Sequence, residues 1–242
     1  MDGASCASST AEPIVKLGGA FMLDPATAAA GEAFGLDFGG FYALGRGGVL
    51  GDVDADVVSA AFVFFNPDVV RMLWEGARAK RAPAESAVAY AGACGEWGRS
   101  HLGAVDGLEE LDRLLGRVVA AGSPVGAPLF AGWRAMSLPD DAPARVVQQL
   151  HVLRELRGGL HAIAVLAGGL SPFEAVLIAN PASAALFGWA EPYPDPEPLR
   201  ATHAEAGANT DRLVAHAFEV LSHDERDRLA RLLEDALATT VA

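Results

Sequence analysis

Lysine is almost missing from this chain, with two residues against sixteen arginines, and cysteine is as scarce, with two in 242 residues. Cys6 lies near the start and Cys94 in an apolar helical pattern, and two such thiols make neither a disulfide framework nor a zinc knuckle. They fit a reducing cytosol, so a cytoplasmic location is expected, with Cys94 as inert core. Cationic charge is short as well: the formal net charge is −13, and no Lys or Arg occurs between Gly158 and Leu199. Such a surface repels phosphate backbones and anionic lipid heads unless distant arginines gather into a patch. No apolar run suffices for a membrane span, because the most apolar stretch, Gly158 to Asn180, is interrupted by His161, Ser171-Pro172 and Glu174. Residues 1–12 have neither a basic start nor an apolar core, which argues against a secretory signal and reads as part of a disordered head. Alternating β-branched runs are missing too, so a short wing hairpin is the most strand the sequence allows.

What is present is apolar content and clear helix punctuation. Hydrophobic residues make up 51% and charged residues 20%, enough to bury a substantial core and unlike a disordered chain. Asp24-Pro25 and Asn66-Pro67 each offer an N-cap followed by Pro at the first helical position. Ser171-Pro172-Phe173-Glu174 and Ser222-His223-Asp224-Glu225 are capping boxes. The predicted fold class is therefore all-α, a multi-helix bundle. Its expected division is a disordered head (1–13), an N-terminal helical half (14–138), a helix-turn-helix-like core (139–189), a Pro-rich linker (190–198) and C-terminal helices (199–242). Those last helices either pack back on the body or pair two copies into a homodimer. Gly158-Gly159 and Gly168-Gly169 both predict helix breaks. The segments AAFVFFNP (60–67) and EAVLIANP (174–181) match in pattern and both end in Asn-Pro, as a tandem of two units or by chance.

The candidate chemistry is sparse. Arg154, Arg157 and His161 fall at i, i+3 and i+7, one face of a helix that runs through, or a junction if the glycines break it. Two cations beside His161 favour its neutral form, suited to accepting a proton, and Glu155 is placed to orient an arginine. The bland alternative is an Arg–Glu cluster tying helices together. Tyr42 and Arg46, one turn apart, either present a hydroxyl and a cation to a pocket or pair within the core. His151 and Glu155 at i, i+4 are half a metal site without the other half, so no metal is expected. Ser171 is a cap, not a nucleophile, and Gly45-Arg46-Gly47-Gly48 lacks the strand and lysine of a phosphate loop. Trp133, Phe64 and Asn66 complete the set of candidate ligand contacts with Arg46, Arg154, Glu155 and Arg157, while His161 and Tyr42 are the candidate acid–base pair. His161, Arg157 and Tyr42 are expected to border one cavity between the two helical halves, because isolated polar groups amid apolar sequence need partners.

Residues 150–180, helix–glycines–helix–capping box–helix, resemble a helix-turn-helix core. The tail DRLVAHAFEVLSHDERDRLARLLEDAL (211–237) is similar to the C-terminal helices of MarR-type winged-helix regulators, where such helices help form the dimer. Over about residues 15–238 the chain resembles an actinobacterial family of helix-turn-helix-fold proteins. FYALGRGGVLG (41–51), FFNP (64–67) and LRELRGGLHAIAVLAGGL (153–170) carry that likeness, and the bias to Arg, Ala and Gly fits a GC-rich genome. The resemblance implies helix-turn-helix or winged-helix-like units and no particular activity. The chain departs from a DNA reader where it matters: the span that should hold cations for phosphates and bases has none, and Glu174, Glu191, Asp195 and Glu197 add negative charge. Duplex DNA is thus disfavoured as a partner. The expected function is binding of a small, partly apolar molecule without a cofactor. The alternatives are a cofactor-independent isomerase or cyclase of secondary metabolism using His161, and a MarR-like ligand-responsive regulator.

Overall fold

Short polar residues directly before proline, Asp24, Asn66 and Ser171, start three of the helices, as their chemistry dictates. The computed structural model describes residues 1–241, and about three-quarters of the chain is helical. In chain order the helices are α1 (Gly3–Ser9), α2 (Ala11–Ala20), α3 (Pro25–Phe34), α4 (Phe38–Gly47), α5 (Ala55–Phe62), α6 (Pro67–Arg78) and α7 (Pro83–Leu102). They continue with α8 (Leu108–Ala121), α9 (Pro128–Arg134), α10 (Ala142–Ala167), α11 (Pro172–Ala179), α12 (Arg200–Phe218) and α13 (His223–Val241). No strand occurs among the described residues. Asp24, Asp37, Asn66 and Asp141 each accept a backbone N–H in the first turn of the helix they open. Each such cap contributes about 1 kcal/mol. The capping box at Ser171 and Glu174 is formed in both directions, as is that at Ser222 and Glu225.

The 26-residue α10 is the central strut, with α2, α7, α8, α9 and α12 packed around it. Over Val146–Leu156 every residue but Arg154 is buried, the polar Gln148, Gln149, His151 and Glu155 included, because other helices enclose this stretch on all sides. Contact is close enough that a Cβ on Gly18 of α2 would sit 2.5 Å from the Leu150 carbonyl oxygen. One buried core runs from Cys6 to Ala236 and joins the segments, with two small satellites around α11. The axes of α10 and α11 meet at 111° across the glycine-containing turn 168–171, the geometry of a helix-turn-helix corner. The C-terminal helices pack back: α12 on α1, α8 and α10, and α13 on α2 and α8. No single helix is long and apolar enough to cross a membrane.

Two expectations are corrected. The head is not disordered: α1 packs on α12, Cys6 and Thr10 are fully buried, and Arg226 donates to the Met1 carbonyl. Its small residues, which read as solvent-loving, instead allow close approach. Gly158-Gly159 does not break α10, which runs unbroken to Ala167. At Gly159 the missing side chain serves packing, because a Cβ there would lie 2.9 Å from Ala127. The Pro-rich stretch 190–198 is non-helical up to a 3-10 turn at Glu197–Leu199, as its prolines require.

Candidate ligand cavity

A continuous α10 places Arg154, Arg157 and His161 on one face, and all three look into a cavity of about 570 Å³. Tyr42 and Arg46 of α4 face the same space, as do His203 and Gly207 of α12 and Val176 and Asn180 at the end of the corner. The aromatic wall comes from the link between α5 and α6. Val63 there has φ 43° and ψ −58°, a rare left-sided conformation for a β-branched residue, with the Phe64 N–H turned back to the Phe62 carbonyl. This strained γ-turn brings Phe62, Phe64 and Phe65 all to the cavity. Phe65 meets Phe187 at 4.5 Å and Tyr42 at 5.6 Å between ring centroids. Trp189 donates to the Phe64 carbonyl, tying the start of the Pro-rich stretch to the same wall.

The cationic end rests on one buried pair. Arg46 and Glu155, 8% and 2% exposed, form two parallel hydrogen bonds of 2.9 and 2.8 Å. Burial alone would raise the Glu155 carboxyl, but the charge and hydrogen bonds of Arg46, with Arg154 beside it, hold it down at about 2. Burial likewise opposes the charge on Arg46, and Glu155 more than restores it. Arg154 donates to the same carboxylate at 2.9 Å, and Arg157 reaches Asp211 at 2.7 Å. The remaining Nη1 of Arg46 donates to the Tyr42 phenol oxygen at 3.0 Å, which leaves the phenol hydrogen free for the cavity.

His161 has a defined tautomer. Its Nδ1 lies 2.9 Å from the Thr210 hydroxyl oxygen, and that hydroxyl gives its own hydrogen to the Ala206 carbonyl at 2.7 Å. Thr210 must therefore accept from His161, so Nδ1 carries the hydrogen and Nε2 keeps a lone pair. Burial pushes the His161 imidazole down to about 4, with His203 and Arg157 adding to the effect. His203, also lowered by burial, stands edge-on to it at 5.9 Å. The neutral ring is thus an acceptor at neutral pH.

Of the residues singled out from sequence, Tyr42, Arg46, Phe64, Arg154, Arg157 and His161 share the cavity wall. Three do not. Glu155 lies behind the wall, turned to Arg46 and Arg154. Trp133 is fully buried beneath Arg46, donating to its carbonyl at 3.1 Å, because its large ring was needed by the core. Asn66 is spent as the cap of α6. His151 is core as well, edge-on to Trp133 at 4.4 Å with Nδ1 at the Gly18 carbonyl, and burial pushes it to about 4. It lies 3.9 Å from Glu155, and no group of three or more potential metal ligands occurs among the described residues. Sequence reasoning missed His203, Thr210, Val15 and Phe187. The spacing of His203, Gly207 and Thr210 at i, i+4 and i+7 was the available signal for the first two.

A family model described as a helix-turn-helix family matches residues 6–196, about four-fifths of the chain. No curated protein and no solved structure matches.

Proposed function

The chain belongs to this helix-turn-helix family, whose description names a fold element and no activity, so we propose its function from the cavity: it binds a small, partly apolar molecule. The observation that carries this reading is a single space of about 570 Å³ in which an aromatic wall meets convergent polar groups. That size and mixture are typical of small-molecule sites. Gly158 supports it further: a helix-interior glycine costs about 1 kcal/mol relative to alanine, yet here nothing lies within 4 Å of where its Cβ would be. The absent side chain leaves cavity volume.

The same corner that resembles a DNA-reading unit is used inward. α11 buries Ala175 to Ile178, and Val176 and Ala179 face the cavity, with Ser171 and Glu174 as its polar residues. It offers no cation to a phosphate, which supports a fold kept without duplex binding. A second reading, a cofactor-independent isomerase or cyclase, is favoured by a donor, Tyr42, and an acceptor, His161, on the wall of one cavity, which suit proton transfer to and from a bound carbonyl compound.

The test uses N-phenyl-1-naphthylamine, a neutral apolar fluorophore. It should bind the wild type and fail to bind Gly158→Trp, whose side chain would occupy the open space. Equal fluorescence from both proteins would refute the cavity as the site. Turnover of a bound carbonyl compound that His161→Ala abolishes without loss of binding would decide for the enzyme.

A further inference from the structure

We propose, resting on the binding reading above, that the ligand is a ring-bearing carboxylic acid, a monoanion that also carries a hydroxyl donor. Its carboxylate would sit at Arg154 and Arg157, its rings against Phe62, Phe65 and Phe187, and its hydroxyl at Nε2 of His161.

The charge comes first. In a chain of net charge −13, three guanidiniums and, among the described residues, no carboxylate line this cavity. Behind the wall stand two carboxylates, Glu155 bridging Arg46 and Arg154, and Asp211 on Arg157. Three positive charges against two negative leave one in excess, and Arg157 has a buried Nη1 without a partner. One excess charge in a partly buried place is matched by one carboxylate; a phosphate dianion would exceed it. A planar guanidinium also favours the planar carboxylate.

Direction comes second. The Thr210 hydroxyl fixes His161 with its lone pair at Nε2, so this position asks for a donor on the ligand and gives an acidic oxygen nothing. Burial keeps the ring neutral, so it does not add a second cation. Tyr42, its oxygen occupied by Arg46, supplies a hydrogen to an acceptor. The Phe65–Phe187 pair and the Arg46-faced Phe62 ring, 4.5 Å from the guanidinium carbon, give flat surfaces for a ring system.

The experiment displaces N-phenyl-1-naphthylamine from the full chain with 6-hydroxy-2-naphthoate, its methyl ester, and 2-naphthoate. The free hydroxy acid is expected to compete at least about tenfold better than the ester, and several-fold better than 2-naphthoate, as hydrogen bonds to a charged and a neutral partner imply. Arg154→Gln, or Arg157→Gln, should erase the preference for acid over ester. His161→Phe should erase only the preference for the hydroxyl. Displacement by acid and ester alike would overturn the ligand class while the cavity reading stands. An acid preference that survives both arginine substitutions would overturn it too. A wild-type protein that does not bind the fluorophore at all would instead overturn the binding reading beneath it.

Discussion

Adjacent glycines in the middle of α10 offer a test in which one methyl group has opposite effects at neighbouring positions. Gly158 and Gly159 share a helix, a solvent history in the unfolded chain and a residue type, and differ in what a Cβ would meet. At 158 nothing lies within 4 Å; at 159 the Cα and Cβ of Ala127 lie at 2.9 Å and the Gly126 carbonyl oxygen at 3.0 Å. Alanine in place of an interior helix glycine gains up to about 1 kcal/mol in either case. Gly158→Ala should keep that gain, which for a chain of this size raises the melting temperature by roughly 2–4 °C. Gly159→Ala must in addition push α9 away from α10, and overpacking of this kind costs about 1–3 kcal/mol. Its melting temperature should therefore fall below the wild type. Thermal unfolding followed by circular dichroism at 222 nm, both variants in one buffer, reads the difference directly. A lower melting temperature for Gly158→Ala would mean that the space beside it is not open, and the cavity argument would fail with it. A rise for Gly159→Ala would show that α9 and α10 do not touch as described.

Three further outcomes are expected. Glu155→Gln leaves the buried Arg46 without its anion and should lower the free energy of unfolding by about 3–5 kcal/mol in denaturant titrations, whereas a loss under about 1 kcal/mol would place the pair in solvent. His151 and His161 are held at about 4 against 6.5 in the unfolded chain, so the unfolded state takes up protons first on acidification. Stability is then fully present above about pH 6.5 and declines as pH falls towards 4; unfolding curves that superimpose from pH 7 to 4.5 would contradict the burial of both rings. Thr210→Val removes the acceptor for the Nδ1 hydrogen of His161, so long-range ¹⁵N–¹H spectra should move from a pure Nδ1–H pattern towards a mixture of tautomers, and an unchanged pattern would show that another group fixes the ring.

Helices were legible in this sequence because their ends are written locally. Asp24, Asn66 and Ser171 act within three residues of themselves, and the caps they were expected to form are the ones present. The glycines show where local logic stops. Gly168-Gly169 ends α10 as expected, while the same dipeptide at 158–159 leaves it intact, because the surroundings of α9 and the cavity, not the dipeptide, decide the outcome. The head failed for the same reason: nothing within residues 1–12 announces that Cys6 and Ala7 will be covered by helices more than two hundred residues away.

The cavity divides along the same line. Its face on α10 could be read from the i, i+3, i+7 spacing of Arg154, Arg157 and His161, since a helix turns that spacing into a shared direction. What those groups do depends on partners distant in sequence. Arg46 meets Glu155 across 109 residues and His161 meets Thr210 across 49, and each partner removes one option from the side chain it binds. Glu155 takes Arg46 out of service as a free cation, so Arg46 contributes by aiming the Tyr42 hydrogen. Thr210 takes Nδ1 from His161, so the ring can only accept. The sequence inventory of three cations, a phenol and an imidazole is compatible with many ligands; the partners turn it into an ordered set of one excess positive charge, one donor and one acceptor beside a flat aromatic wall. That ordering, rather than the helix-turn-helix corner on which it is built, is what a ligand would recognise.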